Sequence, residues 1–333
     1  MLLDYQTNKR SSAPHGTKVQ ANILCIDQFS NFGGGQRSLL DLLPEFQEWG
    51  WAAKIALPGD GPFAAALRGS GFDTQSFACK SYASGKKPLA QILKYALDLP
   101  RLTRTLSDLV DRNNVALLYV NGPRVVPPAA WIAWRNGIPL VFHCHNRLVQ
   151  SSASTITGQA LELASAHVIG CCKYVTEPLK EYVDPQRLHV VYNGTGALGT
   201  RSPSLENIRT IGVVGRVEAE KGQLNFVKAA RLVSNQRPEC RFVIIGSPMF
   251  SDRRYYDRVI AVSCGLPVDF VEWRSEIAEV YSKLDLLVVP SSAAEATTRV
   301  IPEAFGAGIP VVAFPSGGIT EIVEDEWTGF LAR

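Results

Sequence analysis

The chain of 333 residues has no apolar run near the roughly 20 residues that cross a bilayer as a helix, so no membrane-crossing segment is expected. It has no arginine-rich stretch and no stripe of interleaved basic and aromatic residues, which removes the usual footprint of a nucleic-acid binder. No C-x-x-C pair occurs among its seven cysteines (Cys25, Cys79, Cys144, Cys171, Cys172, Cys240 and Cys264), and their number is odd. The opening MLLDYQTNKRSSAPHG lacks the apolar core of a secretory signal. These absences predict reduced thiols and a cytoplasmic protein, with membrane contact at most peripheral. Cys25, Cys144, Cys171 and Cys172 lie inside apolar strand-like runs, where a thiol behaves as a small hydrophobe.

Excess charge is also scarce. Lys and Arg number 34 against 31 Asp and Glu, a net of +3. Residues 1–200 carry 19 cations and 14 acids, a net of +5, and residues 201–333 carry 15 and 17, a net of −2. An imbalance this small reads as ordinary surface variation. With 46% hydrophobic residues, the chain can build one large core or two ordinary ones.

What is present is an alternation of short apolar runs and helical segments. ANILCID (21–27), AKIALP (53–58), VALLYVNG (115–122), PLVFHCH (139–145), AHVIGCC (166–172) and LHVVYNG (188–194) form a first series. Runs apolar on both faces and separated by helices predict a parallel sheet covered on both sides. After a Gly-, Ser- and Pro-rich stretch the pattern restarts with RTIGVVGR (209–216), CRFVIIG (240–246), VDFVEW (268–273), LDLLVVPS (284–291) and PVVAFP (310–315). The expectation is α/β: a disordered tail at 1–18, a doubly wound Rossmann-like domain at 19–195, a linker at 196–207 and a second such domain at 208–333. In such sheets ligands bind beyond the carboxyl ends of the strands, so the default site is a cleft where two domains face each other.

Several strand ends carry residues suited to chemistry. Gly33 and Gly35 in GGGQ fit the dinucleotide-binding fingerprint, but Ser38 stands at its third glycine position and no acid closes the second run. A nicotinamide cofactor is therefore not expected; the loop is either a tight turn or a cradle of backbone N–H groups for a phosphate. His143 and His145 point to one face of a strand, yet a third metal ligand is not evident, and a buried or polar-site histidine is the better reading. Arg216 and Lys221 follow a strand and begin a helix, as a forked and a point-charge phosphate contact would, or as plain surface charge. In EATTRVIPE, Thr297 or Thr298 is the expected helix N-cap, Pro302 belongs to the first turn, and Gly308 with Pro310 ends the helix. Such a helix start attracts anions, whereas Glu295 and Glu303 suit sugar and ribose hydroxyls. A ligand carrying both a diphosphate and vicinal diols needs this mixture.

The ordered set GGGQRSLLDLL, HN, VVYNG, GRVEAEKG, EATTRVIPEAFGAGIPVVA and GGITEIVEDEWTGFLA resembles the retaining glycosyltransferases of family 4, the group 1 type with a GT-B fold, over about residues 20–332. The resemblance implies a nucleotide-diphosphate sugar as donor substrate, no further cofactor, no metal, and a glycan or lipid-linked acceptor in cell-surface polysaccharide synthesis. It gives Arg216 and Lys221 the diphosphate, Glu303 the ribose, Glu295 the sugar hydroxyls, and His145 a sugar contact. Gly34 and Gly35 fall near the donor phosphate and acceptor. Asn193, Arg274, Ile277, Thr297 and Thr298 complete the donor-binding set, Arg274 and Ile277 by the base. A D-x-D sequence is missing, and two cations can replace a metal at the leaving diphosphate. The implied attack comes from the leaving-group side, a phosphate oxygen taking the proton. Peripheral contact with the inner membrane face through the N-terminal domain is also expected. Alternatives on the same scaffold are an inactive nucleotide-sugar-binding module and a sugar-nucleotide epimerase or hydrolase. Ala296 to Thr298 stand where the family has Gly-Phe-Gly-like residues. Family members continue in helices beyond the final TGFLAR, so a chain truncated at its C-terminus, with part of the second sheet left bare, is expected.

Overall fold

The computed structural model describes residues 21–79, 89–196, 198–199, 207–248, 253–272, 277–293 and 295–332. The expected tail at 1–18, most of the expected linker, and Arg274 lie outside the described residues. By packing, the chain divides into two units, residues 1–143 with 155–167 and residues 144–154 with 168–333. The fold is two parallel-sheet α/β domains, as the alternating runs predict.

In the first unit, strands β1 (Ala21–Asp27), β2 (Trp51–Leu57), β3 (Thr74–Ser76), β4 (Val115–Asn121) and β5 (Leu140–Cys144) run in the order β3-β2-β1-β4-β5, every pair parallel. Helices α1 (Gly34–Glu48), α2 (Pro62–Gly69), α3 (Leu89–Asn113) and α4 (Val126–Asn136) make the crossovers. The chain steps one way from β1 to β3 and the other way from β3 to β5. Right-handed crossovers therefore put α1 and α2 on one face and α3 and α4 on the other. The central β1 buries Ile23 through Ile26 completely, consistent with a run that is apolar on both faces. Leu39, Leu43, Ile55, Leu57, Phe63 and Leu67 close over one side of it. The short β3, sequence TQS, is polar because it is an edge strand paired only to β2.

Beneath the start of α1 lies a buried polar network. Asp27, wholly buried, accepts hydrogen bonds from the Phe29 N–H at 2.8 Å, from Gln36 Nε2 at 2.9 and 3.0 Å, and from Asn121 Nδ2. Burial pushes its carboxyl up to about 7 from 3.8 despite these donors. His143 is also buried, its Nδ1 meeting the Tyr119 hydroxyl, and burial lowers its pKa to about 4 from 6.5. The two groups oppose each other as pH changes. Between 3.8 and about 7 the folded state holds an Asp27 proton that the unfolded chain releases, so this group alone makes stability fall as pH rises. Between about 4 and 6.5 the unfolded chain binds a His143 proton that the folded state refuses, so stability rises with pH. Asp27→Asn should therefore uncover the histidine effect. Denaturant melts of the variant should show stability climbing from pH 4 to 6.5 more steeply than in the wild type; parallel profiles would refute this.

Helix α5 (Ser151–Leu163) follows β5. In the second unit β6 (His167–Gly170) and β7 (Leu188–Val190) pair in parallel, with α6 (Lys173–Thr176) after β6. A six-stranded parallel sheet follows, built from β8 (Thr210–Val214), β9 (Arg241–Ile245), β10 (Val268–Val271), β11 (Leu286–Val289), β12 (Val311–Ala313) and β13 (Phe330–Leu331). Its order is β10-β9-β8-β11-β12-β13. Helices α7 (Gln223–Gln236), α8 (Arg253–Ser263), α9 (Ile277–Ser282) and α10 (Val300–Gly306) complete it. Cys25, Cys144, Cys171 and Cys172 are all buried, as small hydrophobes in strand runs should be.

Candidate functional site

The strand order of the second sheet reverses between β8 and β11, and at such a switch point the loops after two adjacent strands diverge and leave room for a ligand. The candidate residues follow these two strands. After β8, the Gly215 N–H bonds to the Ile245 carbonyl at 3.0 Å and the Val217 N–H to the Ser247 carbonyl at 3.1 Å. With Val217 wholly buried, the intervening Arg216 sends its side chain outward, where it is 42% exposed and pairs with Glu218 at 2.8 Å. A 3-10 turn over Ala219–Lys221 then meets Gly222, whose φ of +73° opens α7. A Cβ at Gly222 would lie 1.9 Å from the carbonyl oxygen of Pro290, just past β11. Only glycine lets the turn after β8 come this close to the exit of β11, and the Ser292 N–H adds a bond to the Glu220 carbonyl at 3.0 Å.

Gly222→Ala is thus expected to destabilise the second unit by about 2–3 kcal/mol in chemical denaturation, through backbone strain and the clash with Pro290. Gly265→Ala serves as the control: its φ is +78° but the space around it is open, and about 1 kcal/mol is expected. Equal losses would show that the contact with Pro290 carries no weight.

Lys221 and Glu295 meet directly, Nζ to Oε1 at 2.6 Å, with side chains 20% and 15% exposed. Glu295 follows β11 and is fixed through its backbone. Its carbonyl accepts the Gly318 N–H at 2.9 Å, and Gly317, at φ +56°, leaves no room for a Cβ against the same carbonyl.

Glu303 sits in α10, 6% exposed. The Tyr281 hydroxyl lies 3.1 Å from its Oε2 and Arg299 Nε 3.6 Å from its Oε1. Tyr281 is wholly buried, and burial, followed by the Glu303 charge, holds its phenol well above the usual range. Sequence reading missed both partners. Arg299 is four residues before Glu303 and shares its helix face, a signal that was available. Tyr281 comes from α9 and had no local signal.

The expected N-cap is corrected. The residue before α10 is Arg299, and no side chain caps the helix. Thr297 is buried and its hydroxyl is engaged elsewhere, donating to the Cys171 carbonyl at 3.1 Å and accepting from Asn193 Nδ2 at 3.2 Å. Thr298 offers its backbone carbonyl to the Ile301 N–H at 3.3 Å. Pro302 does fall in the first turn, and Gly308, at φ +72°, closes the helix while the Ile309 N–H reaches the Ala304 carbonyl at 2.8 Å. Ile277 opens α9 and packs on the core between α9, α10 and β12. His145 lies just beyond β5, half-buried, in the second unit. Glu321, which sequence reading did not single out, accepts the Lys173 and Tyr174 N–H groups at 2.8 and 2.7 Å and the Tyr192 hydroxyl at 3.0 Å.

In the first unit, Gly34 and Gly35 begin α1, and Asn121 Nδ2 donates to the Gly35 carbonyl at 3.2 Å. The Asp27, Gln36 and Asn121 network therefore holds the glycine loop from below. His143 is a core histidine, not a surface ligand. Among the described residues no group of three or more His, Cys, Asp or Glu lies together to hold a metal ion.

Models of known families match both parts of the chain: Glycosyltransferase Family 4 over residues 32–195 and Glycosyl transferases group 1 over residues 208–333. A lipopolysaccharide 1,2-N-acetylglucosaminetransferase of Salmonella typhimurium is 30% identical over 124 residues, 35% of this chain and 32% of that protein. A D-inositol 3-phosphate glycosyltransferase of Mycobacteroides abscessus is 28% identical over 239 residues, 61% of this chain and 52% of that protein. The chain thus spans less than two thirds of either relative. The crystal structure of Anabaena HepE in complex with UDP-glucose superposes with a TM-score of 0.76 at 24% identity, over 93% of this chain and 85% of HepE.

Proposed function

We propose a transfer reaction from one premise: the chain belongs among the GT-B glycosyltransferases, with a family 4-like first part and a group 1 second part. The reaction moves a hexose, with retention at the anomeric carbon, from a nucleotide-diphosphate sugar to a glycan or lipid-linked acceptor in cell-surface polysaccharide synthesis. One observation carries the reading: Arg216, Lys221 and Glu295 leave the two strands that flank the switch point, and Lys221 and Glu295 are already in contact there. HepE, of the same fold, is described with UDP-glucose. Here the assigned roles are diphosphate for Arg216 and Lys221, sugar hydroxyls for Glu295, and ribose for Glu303. Asn193 and Thr297, joined by a hydrogen bond at 3.2 Å, stay in the donor-binding set. Thr298, Ile277 and Arg274 stay in the donor set, while His145 and the Gly34–Gly35 loop keep their sugar and acceptor-side roles.

Cleavage of the glycosidic bond leaves growing negative charge on the diphosphate. Fixed cations stabilise that charge more in the transition state than in the ground state, which is what raises the rate. Two cations at the leaving group and no D-x-D sequence motivate a metal-independent reaction. Single-turnover assays with a panel of UDP- and GDP-sugars, with and without EDTA, test this. Transfer or slow hydrolysis that survives EDTA is the expected result. Tight binding without turnover would favour an inactive binding module, epimerised donor would favour the isomerase alternative, and loss restored by magnesium or manganese would remove metal independence. The same reading places the protein in the cytoplasm, with its first domain on the acceptor and membrane side.

A further inference from the structure

Two adjacent cysteines, Cys171 and Cys172, follow β6 directly and lie buried in the second unit, and no step of the proposed reaction uses their thiols. Each touches part of the candidate donor site. The Cys171 carbonyl accepts the Thr297 hydroxyl at 3.1 Å, and the Thr297 oxygen accepts from Asn193 Nδ2 at 3.2 Å. Cys171 Sγ lies 3.8 Å from the His145 carbonyl oxygen. Cys172 Sγ rests on Gly318, where an added Cβ would stand 2.6 Å from the sulfur. The Gly318 N–H in turn holds the Glu295 carbonyl at 2.9 Å. Just beyond the pair, Glu321 fixes the chain by accepting the Lys173 and Tyr174 N–H groups.

The two thiols are unequal. A hydrogen bond from the Cys172 thiol, with further ones from Thr297, holds the Cys171 thiol below its usual range. Giving that bond, together with burial, raises Cys172. One member of the pair ionises readily and the other keeps its proton, as a nucleophile and its resolving thiol do. Neighbouring Cα atoms stand ~3.8 Å apart, closer than the about 4.4–6.8 Å usual across a disulfide. A bond between these two sulfurs therefore forces the peptide between them to turn. That peptide carries the Cys171 carbonyl, the acceptor of the Thr297 hydroxyl. Its rotation removes this acceptor and draws Cys172 Sγ off Gly318.

We propose that Cys171 and Cys172 are a dithiol modification site, oxidised by hydrogen peroxide or an organic peroxide to a disulfide that loosens the nucleotide-sugar site. The Cys171 thiolate attacks one peroxide oxygen, the O–O bond breaks, and the other oxygen leaves and takes up a proton as water or alcohol. The Cys172 thiol then attacks the sulfur of the Cys171 sulfenic acid, and its proton leaves with the hydroxyl as water. Two electrons pass from the dithiol to the peroxide, and a thiol reductant reverses the bond. Transient oxidation of this kind is the usual role of disulfides in a reducing compartment. Both thiols are buried, so a small oxidant reaches them through local opening at the exit of β6. Formation of the bond depends on no assigned function, whereas its effect on ligand affinity rests on the donor site proposed above.

Cleavage after Arg147 and Lys173 releases residues 148–173, which contain these two cysteines and no other. The test treats the full chain with hydrogen peroxide at the dose that oxidises the exposed Cys264, alkylates the remaining thiols and weighs that peptide. Expected is a peptide two hydrogens lighter and free of alkyl groups, restored by dithiothreitol. Cys172→Ser should stop at a Cys171 sulfenic acid that dimedone traps, and Cys171→Ser should leave Cys172 unoxidised. Hydrogen exchange gives a readout that needs no ligand, at the Gly318 amide, and calorimetry gives the affinity for UDP and GDP. Oxidation should speed the exchange and weaken the preferred nucleotide by about tenfold each, the effect of one lost hydrogen bond, and reduction should restore both. By reciprocity, saturating nucleotide should favour the dithiol by the same factor in a dithiothreitol redox buffer. If the reduced chain binds neither nucleotide, the donor reading fails while the peptide and the exchange still decide this site. If a serine variant does not fold, the wild-type peptide decides. Two alkylated thiols in this peptide after full oxidation of Cys264 overturn the proposal. So does a disulfide that leaves both the Gly318 exchange and the nucleotide affinity unchanged.

Discussion

Lys221→Ala is expected to weaken binding of a nucleoside diphosphate by about a hundredfold and sugar transfer by about a thousandfold. A charge-assisted hydrogen bond contributes roughly 1.5–3 kcal/mol to binding. A fixed donor at a developing anion is worth about 10²–10³ in turnover. A second effect adds to the first. Lys221 lies 2.6 Å from Glu295 and neutralises it, so alanine leaves a shielded carboxylate, 15% exposed, next to the incoming phosphates. Glu295→Gln in the Lys221→Ala background should therefore restore part of the lost diphosphate affinity, which a double-mutant cycle by calorimetry measures directly. Additive losses would mean that the pair seen in the structure plays no part in holding the ligand. A single Lys221→Ala variant that binds as the wild type does would remove Lys221 from the diphosphate.

Glu303→Gln is expected to lower affinity for a ribonucleoside diphosphate by about a hundredfold while affecting its 2′-deoxy analogue far less. Two ribose hydroxyls donating to one carboxylate contribute roughly 1.5–3 kcal/mol each, and glutamine keeps the shape but loses the charge. The carboxylate is poised for this. Tyr281 meets Oε2 and Arg299 flanks Oε1, so its orientation is set before any ligand arrives. Calorimetric titration of both nucleotides against both proteins checks the prediction. Equal losses for the two ligands would show that Glu303 acts on the fold and not on the ribose.

The sheet was legible because its strands are buried on both faces, and runs such as ILCI leave no other assignment. The edge strand β3 escaped because an edge needs no such run. The places where Arg216, Lys221 and Glu295 would stand were legible too, since each closely follows an apolar strand, and strand ends at a switch point collect ligands. Their mutual arrangement was not. The Lys221–Glu295 contact joins residues 74 apart in the chain, and the Tyr281–Glu303 bond joins two different helices. The misread cap has the same origin. A threonine before a helix favours the N-cap, but the Cys171 carbonyl, 126 residues away, takes the Thr297 hydroxyl instead. Asp27 was hidden for a related reason: a single acid ending an apolar strand gives no sign of the Gln36 and Asn121 donors that folding brings to it.

The central claim is that the second unit holds a nucleotide-sugar chiefly by its diphosphate, at the cations following β8. Calorimetric titration of the wild type with uridine and guanosine, with their mono- and diphosphates, and with UDP-glucose, all in the presence of EDTA, tests it most directly. Affinity should rise steeply with each phosphate for the preferred base, the diphosphate should bind about as tightly as its sugar conjugate, and Arg216→Ala or Lys221→Ala should flatten the series. A nucleoside that binds as well as its diphosphate, or a series that rises only when a divalent metal is added, would contradict the account.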